Sequence, residues 1–186
     1  KFDVEIEEID VAPMQIQGPL SKDVMVDVVG EEVGEIPYYG LMDAEMDGAS
    51  VLISQTGFSG EEGYEIYVRD ASMNAERVWD PVLDSVKAHG GMQIAPGHHR
   101  RIAAGIMSWG QDLDHETSPF QVNLGYHVQA DKEADYIGKE ALEAQQSKIE
   151  AGEFPFTHKM IGLKMAGEPI REYAPDFWLI SEPESG

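Results

Sequence analysis

Val4 and Ile6 alternate with Asp3, Glu5 and Glu7 after Phe2, which is the two-residue period of a half-buried strand. A second strand is predicted from Val11 to Ile16, running into Gln17-Gly18-Pro19. Pro19 and Ser21 then open a helix on which Leu20, Val24 and Val28 recur every fourth residue, with Gly30 as its stop. Tyr38 to Glu45, the pair Asp47-Gly48, and Ala49 to Ser54 read as a β-hairpin. A glycine-punctuated loop, Thr56 to Gly63, feeds a short strand from Tyr64 to Val68. Ala75, Val78, Trp79, Val82, Leu83 and Val86 then form one face of a long helix stopped by Gly90-Gly91, in which Pro81 predicts a kink or an early break.

Further along, a helical pattern spans Gly97 to about Met107, with its cations near the start, and Ser108 to Pro119 is too polar and turn-rich for regular structure. Phe120 to Val128 returns to apolar alternation, and Gly138 to Ile149 reads as a helix. Ala151 to Pro155 looks like a linker, with strand-like pieces at Met160 to Met165 and Phe177 to Ile180 beyond it. This order predicts an α+β fold, with one region over 1–150 and the start of a second over 151–186. Two strands close no sheet, so the chain is expected to stop inside that second domain.

Composition narrows the partners. Thirteen Lys and Arg against thirty-five Asp and Glu leave a net charge of −22 over 186 residues. Scattered cations on so anionic a chain argue against a nucleic-acid backbone and against anionic lipid. An apolar fraction of 42% places that charge on a folded surface. The absence of cysteine removes disulfides, thiolate nucleophiles and zinc–thiolate sites. The apolar runs are far shorter than the roughly 20 residues a spanning helix needs.

Three clusters could carry chemistry. In the loop Thr56 to Glu65, three glycines in seven residues permit close backbone approach or positive φ. Glu65 differs from Glu61 and Glu62 because it sits within a strand, on the face shared by Gly63 and Tyr67. Held in a cleft, such a carboxylate could accept two parallel N–H bonds from a guanidine-like edge, as on a pterin ring; otherwise the loop is a solvated turn. Asp112, Asp114, His115 and Glu116 match no EF-hand or zincin spacing and are read as a polar loop, with no metal expected. Trp109, just before them, suits either a flat ligand or a core. In His98-His99-Arg100-Arg101, adjacent histidines on a helix diverge and cannot chelate one ion, whereas Arg100 or Arg101 could meet an anion or a carboxylate elsewhere in the fold.

The order of these pieces resembles a known family. Ile16 to Pro19 (Ile-Gln-Gly-Pro), Ile53 to Ile66, Arg101 to Gly105, Trp109 to Pro119 and Tyr136 to Leu142 follow the order of the glycine-cleavage T-protein family of tetrahydrofolate-dependent aminomethyltransferases. Ile161 to Lys164 looks like the first strand of that family's C-terminal β-barrel domain. The resemblance implies a cytoplasmic enzyme that binds tetrahydrofolate and moves a one-carbon unit onto N5 without a metal. It matches Glu65 to the glutamate that bonds the pterin end, Tyr64 and Phe58 to aromatic or apolar neighbours of it, and Arg101 to the second arginine of the family's Ala-Arg-Asp-x-x-Arg segment. With Trp109 these are the expected cofactor-binding residues. The family's catalytic aspartate would precede Lys1, so catalytic residues are not assigned, and the 186-residue chain alone is expected to bind folate weakly or not at all and to lack turnover.

Some positions depart from that pattern. The segment's first arginine falls on Gly97, its aspartate on His98, and the glutamate after Arg-Leu on Ala103. These departures count against an aminomethyl donor, and the Pro-Gly-His-His-Arg-Arg segment from Pro96 to Arg101, the run from Tyr64 to Asp70 and the stretch from Gly167 to Trp178 look more like the demethylase branch, typified by dimethylsulfoniopropionate demethylase and the aryl-methyl-ether demethylases. The expected partners are therefore folate and a small methyl or aminomethyl donor, with a lipoyl carrier protein less expected. The alternatives are a folate-binding module without catalysis, whose repair-type signature needs a cysteine, and the C-terminal part of a flavin-linked sarcosine or dimethylglycine dehydrogenase.

Overall fold

The computed structural model describes residues 3–95, 97–164 and 166–168. It divides into two compact units, Lys1–His115 and Glu116–Gly186.

The first unit is an antiparallel sheet of four strands, β1 (Val11–Gln17), β2 (Leu41–Met46), β3 (Ala49–Ser54) and β4 (Gly63–Arg69), in the order β1-β4-β3-β2. β2 and β3 form the expected hairpin. Met46 pairs with Ala49 across a two-residue turn in which Asp47 (φ 48°) and Gly48 (φ 75°) are both left-handed, the conformation that matches strand twist. Helices α1 (Ser21–Val29) and α2 (Ala71–Ala88) pack on one face. There Ile16, Val51, Ile53, Tyr64, Ile66 and Val68 from alternate strand positions meet Val24, Met25, Val78 and Val82. The opposite face carries Gln15, Ser54, Glu65 and Tyr67.

Several expectations need correction. Residues 3–10 form no strand, and Val4, Ile6 and Ile9 are exposed. The ladder explains it: Val11 pairs with Arg69, the last residue of β4, and the chain then turns into α2, so the segment before Val11 has no neighbour to bond. Helix α2 runs through Pro81 unbroken. Pro81 lies on the exposed side, where water can take the carbonyl that loses its amide partner. Helix α3 is only His98–Ala103. Gly105 (φ 74°) ends it in a Schellman motif, with Ile106 N–H bonding Arg101 C=O at 2.8 Å and Gly105 N–H bonding Ile102 C=O at 3.0 Å.

Two carboxylates fasten α2. Asp70, before its first turn, offers no side-chain cap. Asp10 does so instead from 62 residues away, accepting the Ser72 N–H at 3.0 Å and the Ser72 hydroxyl at 2.6 Å. At the other end Asp27 of α1 accepts from Ser85 (2.9 Å) and His89 (2.8 Å). The Ser72 side-chain bond, then its backbone bond, holds the Asp10 carboxyl below the usual carboxylate range, and the His89 and Ser85 bonds do the same for Asp27. A carboxyl depressed on folding adds stability that is complete above its unfolded value, about 3.9, and is lost as pH falls through the folded value. Asp10→Asn and Asp27→Asn are therefore expected to lower the melting temperature at pH 6 and to flatten its fall below about pH 4. Melting curves parallel to the parent's across that range would contradict this.

In the second unit, α4 (Lys139–Glu150) forms as expected. The alternation from Phe120 to Val128 does not become a strand. Residues 125–127 make one 3₁₀ turn, and Gln121 and Asn123 reach across to the chain at 158–160, with Met160 N–H donating to Gln121 C=O (2.7 Å) and the Asn123 amide to Met160 C=O (3.1 Å). Residues 160–164 are likewise not a strand; Met165 and Phe177 to Ile180 lie outside the described residues.

Candidate functional site

Glu65 sits on β4, an inner strand, so it has a direct neighbour on each side: Gln15 of β1 and Ser54 of β3. Its carboxylate is half-buried. Oε1 accepts from the Gln15 amide at 3.1 Å, and Oε2 from the Thr56 hydroxyl and from Tyr67 Oη at 3.5 Å. A hydroxyl has one hydrogen. Thr56 gives its own to Glu65, so at 2.6 Å Ser54 must donate to Thr56, and the result is a directed chain Ser54→Thr56→Glu65. Burial, then the charge of Glu65 and its hydrogen bond, pushes the Tyr67 phenol up, so Tyr67 stays a donor at neutral pH. Each carboxylate oxygen has two lone pairs, and Oε1 spends one of them on Gln15.

The glycine loop is shaped by Gln17. Its amide donates to Ile16 C=O and Thr56 C=O, both at 3.2 Å, and its oxygen accepts from Ser59 at 2.6 Å. A Cβ on Gly57 or on Gly63 would run into that amide, and on Gly63 also into the Ile16 carbonyl. Two of the three glycines thus serve close approach, while Gly60 (φ 77°) serves the turn and lies against Ala104. Gly18 N–H and the Ser21 hydroxyl both bond Glu62 C=O, closing the loop's far end onto the start of α1.

The other expected residues separate. Phe58, partly exposed, is carried by the same loop, and its ring centroid lies 5.9 Å from Arg101 Cζ. Tyr64 goes the other way: it is 1% exposed, on the helix-covered face of β4, opposite Glu65. Burial, then the charge of Glu62, raises its phenol. Arg101 is 3% exposed and is filled from within the protein, with an ion pair to Asp112 and bonds to Gln111, Ile106 C=O and His98. Four of its five N–H donors are therefore given to its own fold. Trp109 is exposed and meets His115 edge to face at 4.9 Å.

Asp112 holds Arg101 and the Ser108 N–H, and among the described residues no group of three His, Asp or Glu side chains is arranged for a metal ion. No helix among them is long and apolar enough to cross a membrane. A shallow acidic depression in the second unit, edged by Asp131, Glu143, Gln146 and Glu150, contains none of the expected residues. Sequence reasoning missed Gln15, Ser54 and Thr56. Period-2 spacing puts Gln15 and Gln17 on one face of β1, but only the register reveals which carboxylate they face.

The first unit is thus an α+β domain that displays a carboxylate mid-sheet beside a glycine loop. The chain matches the family described as GCVT N-terminal domain over residues 1–132, and it belongs to that family. It is 31% identical over 174 residues to an aminomethyltransferase of Clostridium botulinum (strain Loch Maree / Type A3), covering 91% of this chain and 45% of that protein. An aminomethyltransferase of Thermotoga maritima is 32% identical over 173 residues (91% and 44%), and one of Bacillus pumilus is 36% identical over 164 residues (87% and 43%). The chain thus spans less than half the length of these relatives.

Proposed function

We propose that the full-length protein transfers a one-carbon unit to tetrahydrofolate, and that Glu65 holds the pterin end. The observation that carries this is the Glu65 carboxylate, half-buried on an inner strand and ringed by Gln15, Thr56 and Tyr67. Family membership supports it, because similar proteins bear the name aminomethyltransferase. A guanidine-like ring edge would share Oε1 with Gln15 and compete for Oε2, drawing two charge-assisted bonds from one carboxylate. Phe58 and Trp109 offer exposed ring faces for the same flat ligand, and Tyr64 supports Glu65 from the core. In this reaction the protein's contribution is to place the donor beside N5, keep water out and leave the attacking amine unprotonated.

The donor we propose is an aminomethyl group, as the names of the relatives suggest; the glycine at 97, the histidine at 98 and the alanine at 103 favour a methyl donor as the second reading. Assaying the full-length protein with aminomethyl-lipoyl protein, a sulfonium and an aryl methyl ether separates the two. We propose further that the residues after 150 begin the family's C-terminal barrel.

Replacing Glu65 by Gln keeps the shape and removes the charge. It is expected to weaken binding of 5-formyl-tetrahydrofolate, a stable probe, by about 1–3 kcal/mol, roughly 5- to 150-fold in Kd by calorimetry. An unchanged Kd in a folded Glu65→Gln protein would remove Glu65 from the site.

A further inference from the structure

We propose that Arg101 is a positioning residue: its buried guanidinium ties the loop at 106–115 to α3 and to the glycine loop, and so fixes the exposed rings of Trp109 and Phe58. The geometry of this clasp stands by itself; its consequence for affinity rests on the folate reading above.

A six-residue helix is marginal alone, so tertiary contacts must set the place of α3. Yet α3 contributes no apolar side chain to the core, and the one residue it buries is the arginine. Among the described residues that arginine donates four hydrogen bonds: Nε to His98 Nδ1 (3.0 Å), one terminal nitrogen to Ile106 C=O (3.1 Å) and Asp112, and the other to Gln111 (2.9 Å). Asp112 also accepts the Ser108 N–H at 2.7 Å, so one carboxylate closes the loop that starts at Ser108 onto the cation. Ile106 is held twice, by its C=O to the Arg101 side chain and by its N–H to the Arg101 C=O. On the other side the Phe58 ring approaches the guanidinium, and Gly60 lies against Ala104 so closely that a Cβ would collide with it.

What the clasp joins are two loops whose outermost groups, Trp109 at 60% and Phe58 at 39% exposure, add little to the core. Their fixed placement therefore serves what lies outside the protein. Direct ligand binding by Arg101 does not fit a guanidinium this buried, with four of its five N–H donors given to the protein.

The test uses full-length protein in which Trp79 and Trp178 are replaced by Phe, leaving Trp109 as the emitter among the three tryptophans of this chain, with any tryptophan outside it likewise replaced. A histidine side chain quenches an indole it touches, so Trp109 emission at one fixed pH should rise when His115 is replaced by Ala, and that rise measures the Trp109–His115 contact. Arg101→Gln and Asp112→Asn should each lose at least half of that contact quenching while keeping the far-ultraviolet dichroism of the fold. Each should also weaken 5-formyl-tetrahydrofolate about tenfold, the scale of one displaced hydrogen-bonded contact. Arg101→Lys, which keeps the charge and loses the fork, should fall between, and the double variant should be no worse than either single one.

Quenching and Kd both unchanged in a folded Arg101→Gln or Asp112→Asn protein would overturn the proposal. If Arg101→Gln fails to fold, Asp112→Asn decides on the same two readouts. Loss of quenching without loss of affinity, together with an indifferent Glu65→Gln protein, would sustain the clasp and overturn the folate reading. A Glu65→Gln protein that binds weakly beside an Arg101→Gln protein with parental quenching would do the reverse.

Discussion

Gly63→Ala is expected to destabilise the full-length protein by about 2–3 kcal/mol in urea, the upper part of the range for a side chain forced into filled space. Gly63 opens β4 opposite Gln17, and an added Cβ meets both the Gln17 amide and the Ile16 carbonyl. The carbonyl decides the size of the effect. It belongs to the β1 ladder and cannot move without pulling Ile16, which is 7% exposed, out of the core. Gly57→Ala makes the informative contrast, because the three atoms nearest a Cβ there all belong to the Gln17 amide, the end of a side chain that can swing away. Its cost is expected to be about 1 kcal/mol, from the lost bonds to Thr56 C=O and Ser59. Removing the obstacle in Gly57→Ala/Gln17→Ala should add almost nothing further, since the bonds are already broken. Equal costs for Gly57→Ala and Gly63→Ala would show that the Gln17 amide, and not the strand carbonyl, sets the limit at both places.

The same two glycines show how far local pattern reaches. Three glycines in seven residues announce a tight loop, and the alternation around Glu65 places it on one face of a strand; both are period and composition, which act locally. That the loop wraps a glutamine from β1 depends on strand order, which periodicity does not encode. The β2–β3 hairpin was legible because Asp-Gly specifies its own turn. The Val4–Ile6 alternation misled for the opposite reason: a strand exists only where a partner ladder exists, and β4 ends before it can supply one. The Phe120 to Val128 alternation fails because local turns take its backbone groups, with Leu124 N–H bonding Pro119 C=O, His127 N–H bonding Leu124 C=O and Val128 N–H bonding Gly125 C=O. Arg101 and Asp112 were legible separately, as a helix-start cation and a polar-loop acid. Nothing in spacing joins residues eleven apart across a glycine stop, so the ion pair that makes one device of them is a property of the fold.

Tyr64→Ala is expected to cost about 3–5 kcal/mol, whereas Tyr64→Phe should leave affinity for 5-formyl-tetrahydrofolate at the parental value. Resemblance puts Tyr64 beside the ligand; the pleat puts it on the other side of the sheet. At 1% exposure it is the largest of the fully buried side chains among the described residues, packed on the face where α1 and α2 meet β4. Truncating it opens a cavity beneath the strand that carries Glu65, so the Ala variant loses affinity through strand disorder as well as stability. The Phe variant removes only the hydroxyl and keeps the ring that fills the core, which isolates the ligand question. A ligand contact through the phenol would weaken binding in Tyr64→Phe several-fold with stability intact. A core role predicts the opposite ordering, with Ala costly in both measurements and Phe neutral in binding. The two substitutions, read by urea unfolding and calorimetry on the same samples, therefore decide whether the aromatic next to Glu65 in sequence belongs to the site or to the scaffold that aims it.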